Sequence, residues 1–176
     1  MSGHNKWSQI KRQKEKTDGQ RSKIFSKYAK IIADAAKKAK GNKDDPSLRT
    51  AVEKAKSFNM PNDNIERAIK KATEAGAASM ESITYEAYGP GGSAMIIEAM
   101  TDNRNKAAQE IKMILARNNF SLADMGSATW AFKREGIDWK PTTTTPLGEE
   151  DIVLLEKLID ELENCDEVQE VFTNAE

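Results

Sequence analysis

Apolar residues at helical spacing follow one another through the first third of the chain, separated by short polar breaks. The first stripe falls on one face of a helix and comprises Ile24, Tyr28, Ile31 and Ala35. We predict that this helix begins at Arg21 and ends at Gly41, because glycine often stands just past a helix C-terminus. Residues 1–20 show no such period, and we predict that they form a basic arm.

Two more helices are predicted before residue 78. Asp45 and Pro46 indicate a helix start, because an acid caps free amides and proline suits the first helical position. The next start is at Pro61, and Gly76 ends that helix. The apolar sides of the two helices carry Leu48, Val52 and Ala55, and Ile65, Ala68, Ile69 and Ala72. Helices joined by such short links predict a helical bundle domain over residues 21–78.

From residue 79 onward the apolar pattern changes to the period of two that is typical of β-strands. Strands are predicted over residues 83–88, 94–100, 128–132, 137–139 and 168–173. The polar residues 101–103 suit the cap of one helix, and a second helix is predicted from Glu149 to Asn164. Residues 89–92, Gly-Pro-Gly-Gly, predict a turn between strands, with a backbone surface approached by a ligand as the alternative.

The order of these elements predicts the fold. From Ser93 the chain reads strand, helix, strand, strand, helix, strand, which is the split βαβ order of an antiparallel sheet with two helices on one face. The strand at 83–88 is then an addition at one edge. We therefore predict an α+β protein: an arm (1–20), a three-helix domain (21–78) and a ferredoxin-like α/β sandwich domain (79–176).

Charge separates the two halves of this chain. The whole sequence has a formal net charge of −1. Its first forty residues nevertheless contain twelve Lys or Arg against three acids. Residues 1–71 hold nineteen basic and eight acidic residues, whereas residues 72–176 hold eight basic and twenty acidic ones. Such asymmetry indicates a polyanionic partner for the N-terminal half.

The basic residues of the arm and first helix are the predicted nucleic-acid contacts, because Lys and Arg bind phosphates mainly through charge. They are Lys6, Lys11, Arg12, Lys14, Lys16, Arg21, Lys23, Lys27, Lys30 and Lys37. Trp7 either stacks on an unpaired base or staples the arm to the bundle. His4 and Arg104 are secondary candidates: His4 either contacts phosphate or base or is simply exposed, and Arg104 either belongs to a helix cap or holds an anion at the helix start.

Catalytic and metal chemistry find little support in the sequence. The single histidine, His4, lies in the arm without a fixed partner, and the single cysteine, Cys165, excludes an intramolecular disulfide. No cluster of ligand residues predicts a metal site, and we predict no cofactor and no small-molecule substrate. Since no apolar run is long enough to span a bilayer, we expect a soluble cytoplasmic protein without a membrane partner.

Several ordered motifs resemble the YebC family. They are GHNKW at 3–7, KIFSK at 23–27, NMP at 59–61, NIERAI at 64–69, YEAYGPGG at 85–92, TDNRN at 101–105, LID at 158–160 and VQEVFTN at 168–174. The resemblance implies a helical N-terminal domain followed by mixed α/β domains. Family members usually carry a further α/β domain between the regions matching 128–132 and 140 onward, so the chain resembles a short form.

The resemblance also implies a function. The family is described as bacterial transcriptional regulators that bind DNA, its mitochondrial relatives are translational activators, and some bacterial members assist stalled ribosomes. We therefore predict a non-enzymatic regulator of gene expression of the YebC type that binds DNA. The first alternative is a translation factor that binds ribosomal or transfer RNA, which an aromatic-bearing arm favours. The second is a protein-interaction adaptor whose acidic half docks another protein.

Overall fold

The computed structural model describes residues 18–136 and 138–176, with side chains from residue 21 onward. The described chain divides into two compact units. A helical unit extends to Glu81, and an α+β unit runs from Ser82 to Glu176. The predicted domain bounds, 21–78 and 79–176, stay a prediction.

The helical unit contains α1 (Asp18–Lys38), α2 (Pro46–Ser57) and α3 (Asn62–Thr73). The predicted start of α2 is confirmed, because the Asp45 carboxylate accepts hydrogen bonds from the amides of Ser47 and Leu48 at 2.9 and 3.2 Å. The predicted start of α1 at Arg21 is wrong by three residues, so the last residues of the predicted arm are helical. A single glycine such as Gly19 weakens a helix by about 1 kcal/mol and does not prevent one.

The core of the helical unit is built from one face of each helix. Its most deeply buried apolar residues are Ile32, Ala36, Leu48, Ala55 and Ile65. The ring of Tyr28 on α1 also stacks on Phe58, which follows α2, with 5.2 Å between ring centroids. These contacts fix the rotation of α1 about its axis and so decide which of its faces meets solvent.

The α+β unit continues the chain through strands, helices and short 3-10 turns. In chain order these are β1 (Glu81–Tyr88), the 3-10 turn Pro90–Gly92, β2 (Ala94–Thr101), α4 (Arg104–Arg117), β3 (Leu122–Ala123), the 3-10 turn Thr129–Ala131, β4 (Phe132–Glu135), β5 (Asp138–Pro141), α5 (Glu149–Glu163) and β6 (Val168–Thr173). The main sheet has the order β3-β1-β2-β6, and β4 and β5 form a separate two-stranded sheet.

The α+β class with its largely antiparallel sheet is confirmed, but the order of strands differs from the split βαβ expectation. β2 pairs antiparallel with β6 as expected. Its other neighbour is β1, which the prediction put at an edge, and β1 in turn pairs with the short β3. The reason is that β4 pairs only with β5, along the register Phe132 to Pro141, and leaves the place beside β2 to β1.

The strand predicted over residues 128–132 is also wrong. Ala128, Ala131 and Phe132 are buried while Trp130 is exposed, which is the spacing of the 3-10 turn at Thr129–Ala131 rather than of a strand. Ala128, Trp130 and Phe132 alternate with polar or small residues as in a strand, but Trp130 is exposed and does not share the buried side of Ala128 and Phe132.

The two faces of the main sheet are covered by different layers. Alternate residues of β2 point to opposite faces, so Met95 and Ile97 pack with both α4 and α5, whereas Ala94 and Ile96 pack with residues 128–132. The two helices therefore share one face, as predicted. The indole N–H of Trp139 on β5 donates to Glu98 of β2 at 2.7 Å and ties the small sheet to the second face.

No helix in the described part of the chain is long and apolar enough to cross a bilayer.

Candidate nucleic-acid interface

The predicted nucleic-acid contacts are distributed over three places. Seven of them lie outside the described residues: His4, Lys6, Trp7, Lys11, Arg12, Lys14 and Lys16. Five lie on α1: Arg21, Lys23, Lys27, Lys30 and Lys37. Arg104 is the first residue of α4 and belongs to the α+β unit. The structure therefore groups five predicted residues on a single helix and places Arg104 on a different unit.

Four lysines of α1 share one side of the helix. Lys23, Lys27, Lys30 and Lys37 follow one another at intervals of four, three and seven residues. At 3.6 residues per turn these positions fall within an arc of about 80°. Ile32 and Ala36, which are fully buried, lie on the opposite side. We call this side of α1 the lysine face.

The lysines of this face differ in how far they are exposed to solvent. Lys23 is exposed, whereas Lys27, Lys30 and Lys37 are half-buried. The ammonium of Lys37 donates to the backbone carbonyl of Ala77, which follows α3 in the same unit. Lys37 thus helps to hold the end of α1 in the bundle and keeps its charge at the surface. Half-buried lysines keep less side-chain freedom than fully exposed ones, so ordering them on a ligand costs less entropy.

The charge of the helical unit is positive where its side chains are described. From Arg21 to Glu81 it contains fourteen Lys or Arg and eight acids. Two ion pairs of this unit are the Lys38–Asp34 pair at 2.7 Å and the Lys43–Glu66 pair at 2.8 Å. The α+β unit, from Ser82 onward, holds eight basic and eighteen acidic residues. A polyanion is therefore attracted to the helical unit and repelled by the other.

A second group of exposed cations in the helical unit, on α2 and α3, was not among the predicted contacts. A Cβ placed on Gly41, in the turn between α1 and α2, would lie 3.3 Å from Thr73 of α3. Lys43 of the same turn forms an ion pair with Glu66, which lies about two helical turns before Thr73 on α3. Exposed cations of the same helix and of α2 are Arg49, Lys56, Arg67, Lys70 and Lys71. Their helical spacing was visible in the sequence, but the proximity of the turn to α3 was not.

Arg104 lies at a well-formed helix start. The side chain of Asn103 caps α4 by accepting from the amide of Lys106 at 3.1 Å. Lys106 forms an ion pair with the nearly buried Glu167 at 3.2 Å, and the hydrogen bond that its ammonium donates to that carboxylate raises the pKa of Lys106. The arrangement neutralises one of the cations near Arg104. It is a capped, ion-paired helix end, and the role of Arg104 in holding an anion stays a prediction.

The one cysteine of the chain, Cys165, lies in the α+β unit and is partly buried. Burial raises the pKa of the Cys165 thiol, whose sulfur donates to Glu110 at 3.2 Å, so this cysteine is protonated near neutral pH. Among the residues that the structure describes, no three His, Cys, Asp or Glu side chains are grouped as metal ligands.

Comparison with protein families matches nearly all of the chain. Residues 5–75 match the profile of the TACO1/YebC protein N-terminal domain, and residues 80–137 and 135–175 match that of the TACO1/YebC second and third domain. This chain belongs to the TACO1/YebC family. The YebC resemblance inferred from the sequence motifs is thereby confirmed.

Individual relatives in the TACO1/YebC family are similar over most of this chain. A protein of Thermoanaerobacter pseudethanolicus named "probable transcriptional regulatory protein" is 52% identical over 139 residues, which are 78% of this chain and 56% of that protein. One of Enterococcus faecalis with the same descriptive name is 44% identical over 182 aligned residues, covering 100% of this chain and 74% of the relative. The chain spans 56% of the first relative's length, well short of the whole protein.

A solved structure with the same fold comes from Aquifex aeolicus. The crystal structure of the conserved hypothetical protein Aq1575 superposes with a TM-score of 0.79 at 29% identity, covering 90% of this chain and 91% of that one. The two matched segments of the second and third TACO1/YebC domains meet at residues 135–137. This junction coincides with the tip of the β4–β5 hairpin, where Gly136 has a φ of 64°. The β4–β5 hairpin thus lies where, by the resemblance, longer family members carry a further α/β domain.

Proposed function

We propose that this chain is a non-enzymatic regulator of gene expression that binds nucleic acid through the helical unit and the basic arm. The lysine face of α1 carries the proposal, because it gathers Lys23, Lys27, Lys30 and Lys37 on one side of a helix whose opposite side is fixed in the core. The names of the relatives, which describe probable transcriptional regulatory proteins, favour DNA as the target.

The mechanism that follows is attraction and positioning of a phosphate backbone. Lysines at helical spacing neutralise phosphates and fix the register of the nucleic acid, but they do not distinguish bases. The face contains Lys at four positions and Asp34 at a fifth, without the Asn, Gln and Arg sets that read base edges. The acidic charge of the α+β unit repels the same polyanion, which favours approach to the helical unit.

Structured RNA is the second candidate target. A-form RNA is recognised largely by its shape and backbone, so a face of lysines that reads no bases suits it as well as DNA. This target would make the chain a translation factor that contacts ribosomal or transfer RNA.

Fluorescence polarization with the full chain tests the proposal. The probes are a labelled 30-base-pair DNA duplex and a labelled 30-nucleotide RNA hairpin, each titrated against wild type and the triple variant Lys23→Gln/Lys27→Gln/Lys30→Gln. We expect the variant to bind the preferred probe about tenfold more weakly or worse, because three phosphate contacts are lost. The tighter of the two probes identifies the target class.

A matched control removes three positive charges from the other unit. The variant Lys112→Gln/Lys133→Gln/Lys157→Gln changes the net charge by the same amount at exposed positions of the α+β unit. We expect its affinity to stay within about twofold of wild type. Equal losses in both triple variants would show that net charge alone governs binding and would contradict a site on α1.

A further inference from the structure

A groove lies between α2 and α3 in the helical unit, and we call it the α2–α3 groove. Its volume is about 230 Å³, and it is lined by side chains of these two helices and of Lys43 in the turn before α2. The floor is apolar, and three of its residues belong to the core of the unit, namely Leu48, Ile65 and Ile69. Val52, which also lines the groove, is half-buried. The lining residues differ from those of the lysine face, so the two surfaces are separate.

Two cations stand on the α2 side of the groove. Arg49 and Lys56 are both exposed, both line the groove, and lie seven residues apart. Because seven residues make almost two helical turns, the two side chains project from the same side of α2, about 10 Å apart along its axis. They are therefore placed to contact the phosphates on either side of a single nucleotide.

The acids of the groove limit how much negative charge it can accept. Glu66 is paired with Lys43 at 2.8 Å. Glu53 follows Arg49 by four residues and precedes Lys56 by three, so it lies between the two cations on α2. Three cations and two acids line the groove, which leaves one net positive charge. A short anionic group is thus attracted, whereas a continuous phosphate backbone laid along the groove would meet both carboxylates.

The α3 side of the groove offers a neutral hydrogen-bonding group. Asn62, the first residue of α3, is exposed and lines the groove. Its carboxamide can donate and accept hydrogen bonds at once, which matches the mixed donor and acceptor edge of a nucleobase. The lysines of α1 can only donate, so Asn62 provides a kind of contact that the lysine face lacks.

We propose that the α2–α3 groove holds one unpaired nucleotide of the nucleic acid that the helical unit binds. The inference rests on the proposed function and adds a feature that the target must contain. The base lies on the apolar floor with its edge at Asn62, and the flanking phosphates meet Arg49 and Lys56. The volume of about 230 Å³ is below the roughly 300–1,000 Å³ of sites for drug-sized ligands, so the groove suits one base whose sugar and phosphates stay outside.

An unpaired nucleotide is favoured over a paired one for an energetic reason. A base inside a duplex must lose its pairing and stacking before it can enter a groove on a protein. A bulged base has already lost its pairing partner, so its entry into the α2–α3 groove costs less free energy. The proposal therefore predicts that a bulged duplex binds more tightly than a perfect one, and the lysine face alone would not produce this difference.

Fluorescence polarization with the full chain tests this preference. The probes are a labelled 20-base-pair RNA duplex and a labelled 20-base-pair DNA duplex, each made with and without one unpaired adenine nucleotide at its centre. We expect wild type to bind the bulged form of the preferred nucleic acid at least fivefold more tightly than the perfect form. Arg49→Gln/Lys56→Gln should bring this ratio to within twofold of one, and Asn62→Ala should lower it.

A variant with the opposite expected effect keeps the test decisive. Glu53→Gln removes the acid between Arg49 and Lys56, so it should tighten binding of the bulged probe about twofold. Misfolding cannot produce such a gain. Circular dichroism of the variants checks that the helical content stays that of wild type.

Two controls separate this inference from the proposed function. Arg67→Gln/Lys71→Gln removes two positive charges from exposed positions of α3 outside the groove lining, and should keep the wild-type ratio. Lys23→Gln/Lys27→Gln/Lys30→Gln should weaken bulged and perfect probes alike and so also keep the ratio. If that triple variant binds both probes as wild type does, the proposed role of α1 fails, while the ratio still reports on the groove.

The proposal is overturned if wild type binds bulged and perfect probes equally, or if Arg49→Gln/Lys56→Gln keeps the wild-type ratio. It is also overturned if another ligand class occupies the groove. Displacement of the bulged probe by an acidic peptide that repeats Glu-Leu-Gly would assign the groove to a protein segment. Displacement by 1 mM adenosine monophosphate would assign it to a free nucleotide.

Discussion

The carboxylate of Glu86 and the backbone amide of Ala128 are joined by a hydrogen bond of 2.9 Å across 42 residues of sequence. Two further amides, of Gly126 and Thr129, donate to the same carboxylate. Through these contacts a residue in the middle of the main sheet sets the path of the loop that leads into the β4–β5 hairpin. The hydrogen bond from the Trp130 indole to the Tyr88 hydroxyl depends on that path.

Glu86→Gln should destabilise the α+β unit by about 1–3 kcal/mol, because a glutamine has one acceptor oxygen for three amides, one buried and two part-buried, and places its own NH₂ group against one of them. Urea denaturation followed by circular dichroism measures the change in the free energy of unfolding. Glu53→Gln, at an exposed position of α2, is the control and should be neutral within about 0.5 kcal/mol. A neutral Glu86→Gln would mean that the three hydrogen bonds do not hold the loop.

The same carboxylate predicts a loss of stability in acid. Burial works to raise the pKa of Glu86, but the hydrogen bonds from Gly126, Ala128 and Thr129 outweigh it, and the pKa lies below the ordinary glutamate value of 4.5. A depressed pKa stabilises the fold above the ordinary value, and this stabilisation is lost as the pH falls through the folded-state pKa. The stability difference between wild type and Glu86→Gln should therefore shrink as the pH falls below 4.5. A difference that stays constant down to the acid transition would contradict this assignment.

Much of the architecture could be predicted from local patterns, and the failures trace to contacts between distant residues. The start of α2 was predictable because Asp45 and Pro46 act on the next few residues alone. The 3-10 turn at Thr129–Ala131 was not, because it depends on Glu86, and the alternation around Trp130 imitates a strand. The position of β1 inside the main sheet likewise could not be predicted locally, because it depends on the pairing of β4 with β5 in a separate sheet.

In the candidate interface, too, local patterns predict some features and contacts between distant residues decide the others. The spacing of Lys23, Lys27 and Lys30 predicts a shared helical face, and the structure places them on one. That Lys37 contacts the carbonyl of Ala77, and that the α1–α2 turn lies against α3 at Thr73, follows from packing that no local pattern encodes. The alternation around Trp130 predicts a strand residue, and its exposure follows from the 3-10 turn in which it lies.

The cap of α2 provides a test of the helical unit with a neighbouring control. Asp45→Ala should cost about 1 kcal/mol of stability, because its carboxylate accepts from the amides of Ser47 and Leu48. Asp44→Ala removes the same charge one residue earlier, where the side chain is exposed and does not cap the helix. Thermal unfolding of the two variants should differ clearly, and equal midpoints would show that the cap contributes nothing measurable.

The arm makes a prediction that rests on the sequence alone. Replacing Lys6, Lys11, Arg12 and Lys14 together by Gln should weaken nucleic-acid binding sharply, because four cations of the densest basic stretch are removed. Filter binding with the preferred probe measures the effect. Unchanged affinity would restrict the interface to the helical unit and would refute a role for the arm.

The lysine face is tested most directly by the salt dependence of nucleic-acid affinity in wild type and in Lys23→Gln/Lys27→Gln/Lys30→Gln. Each lysine that neutralises a phosphate of duplex DNA contributes about 0.9 to the slope of log K against log salt. We predict that the slope of the variant is smaller by about two to three, while Lys112→Gln/Lys133→Gln/Lys157→Gln keeps the wild-type slope. Parallel slopes for wild type and the α1 variant would contradict the claim that this face grips the phosphate backbone.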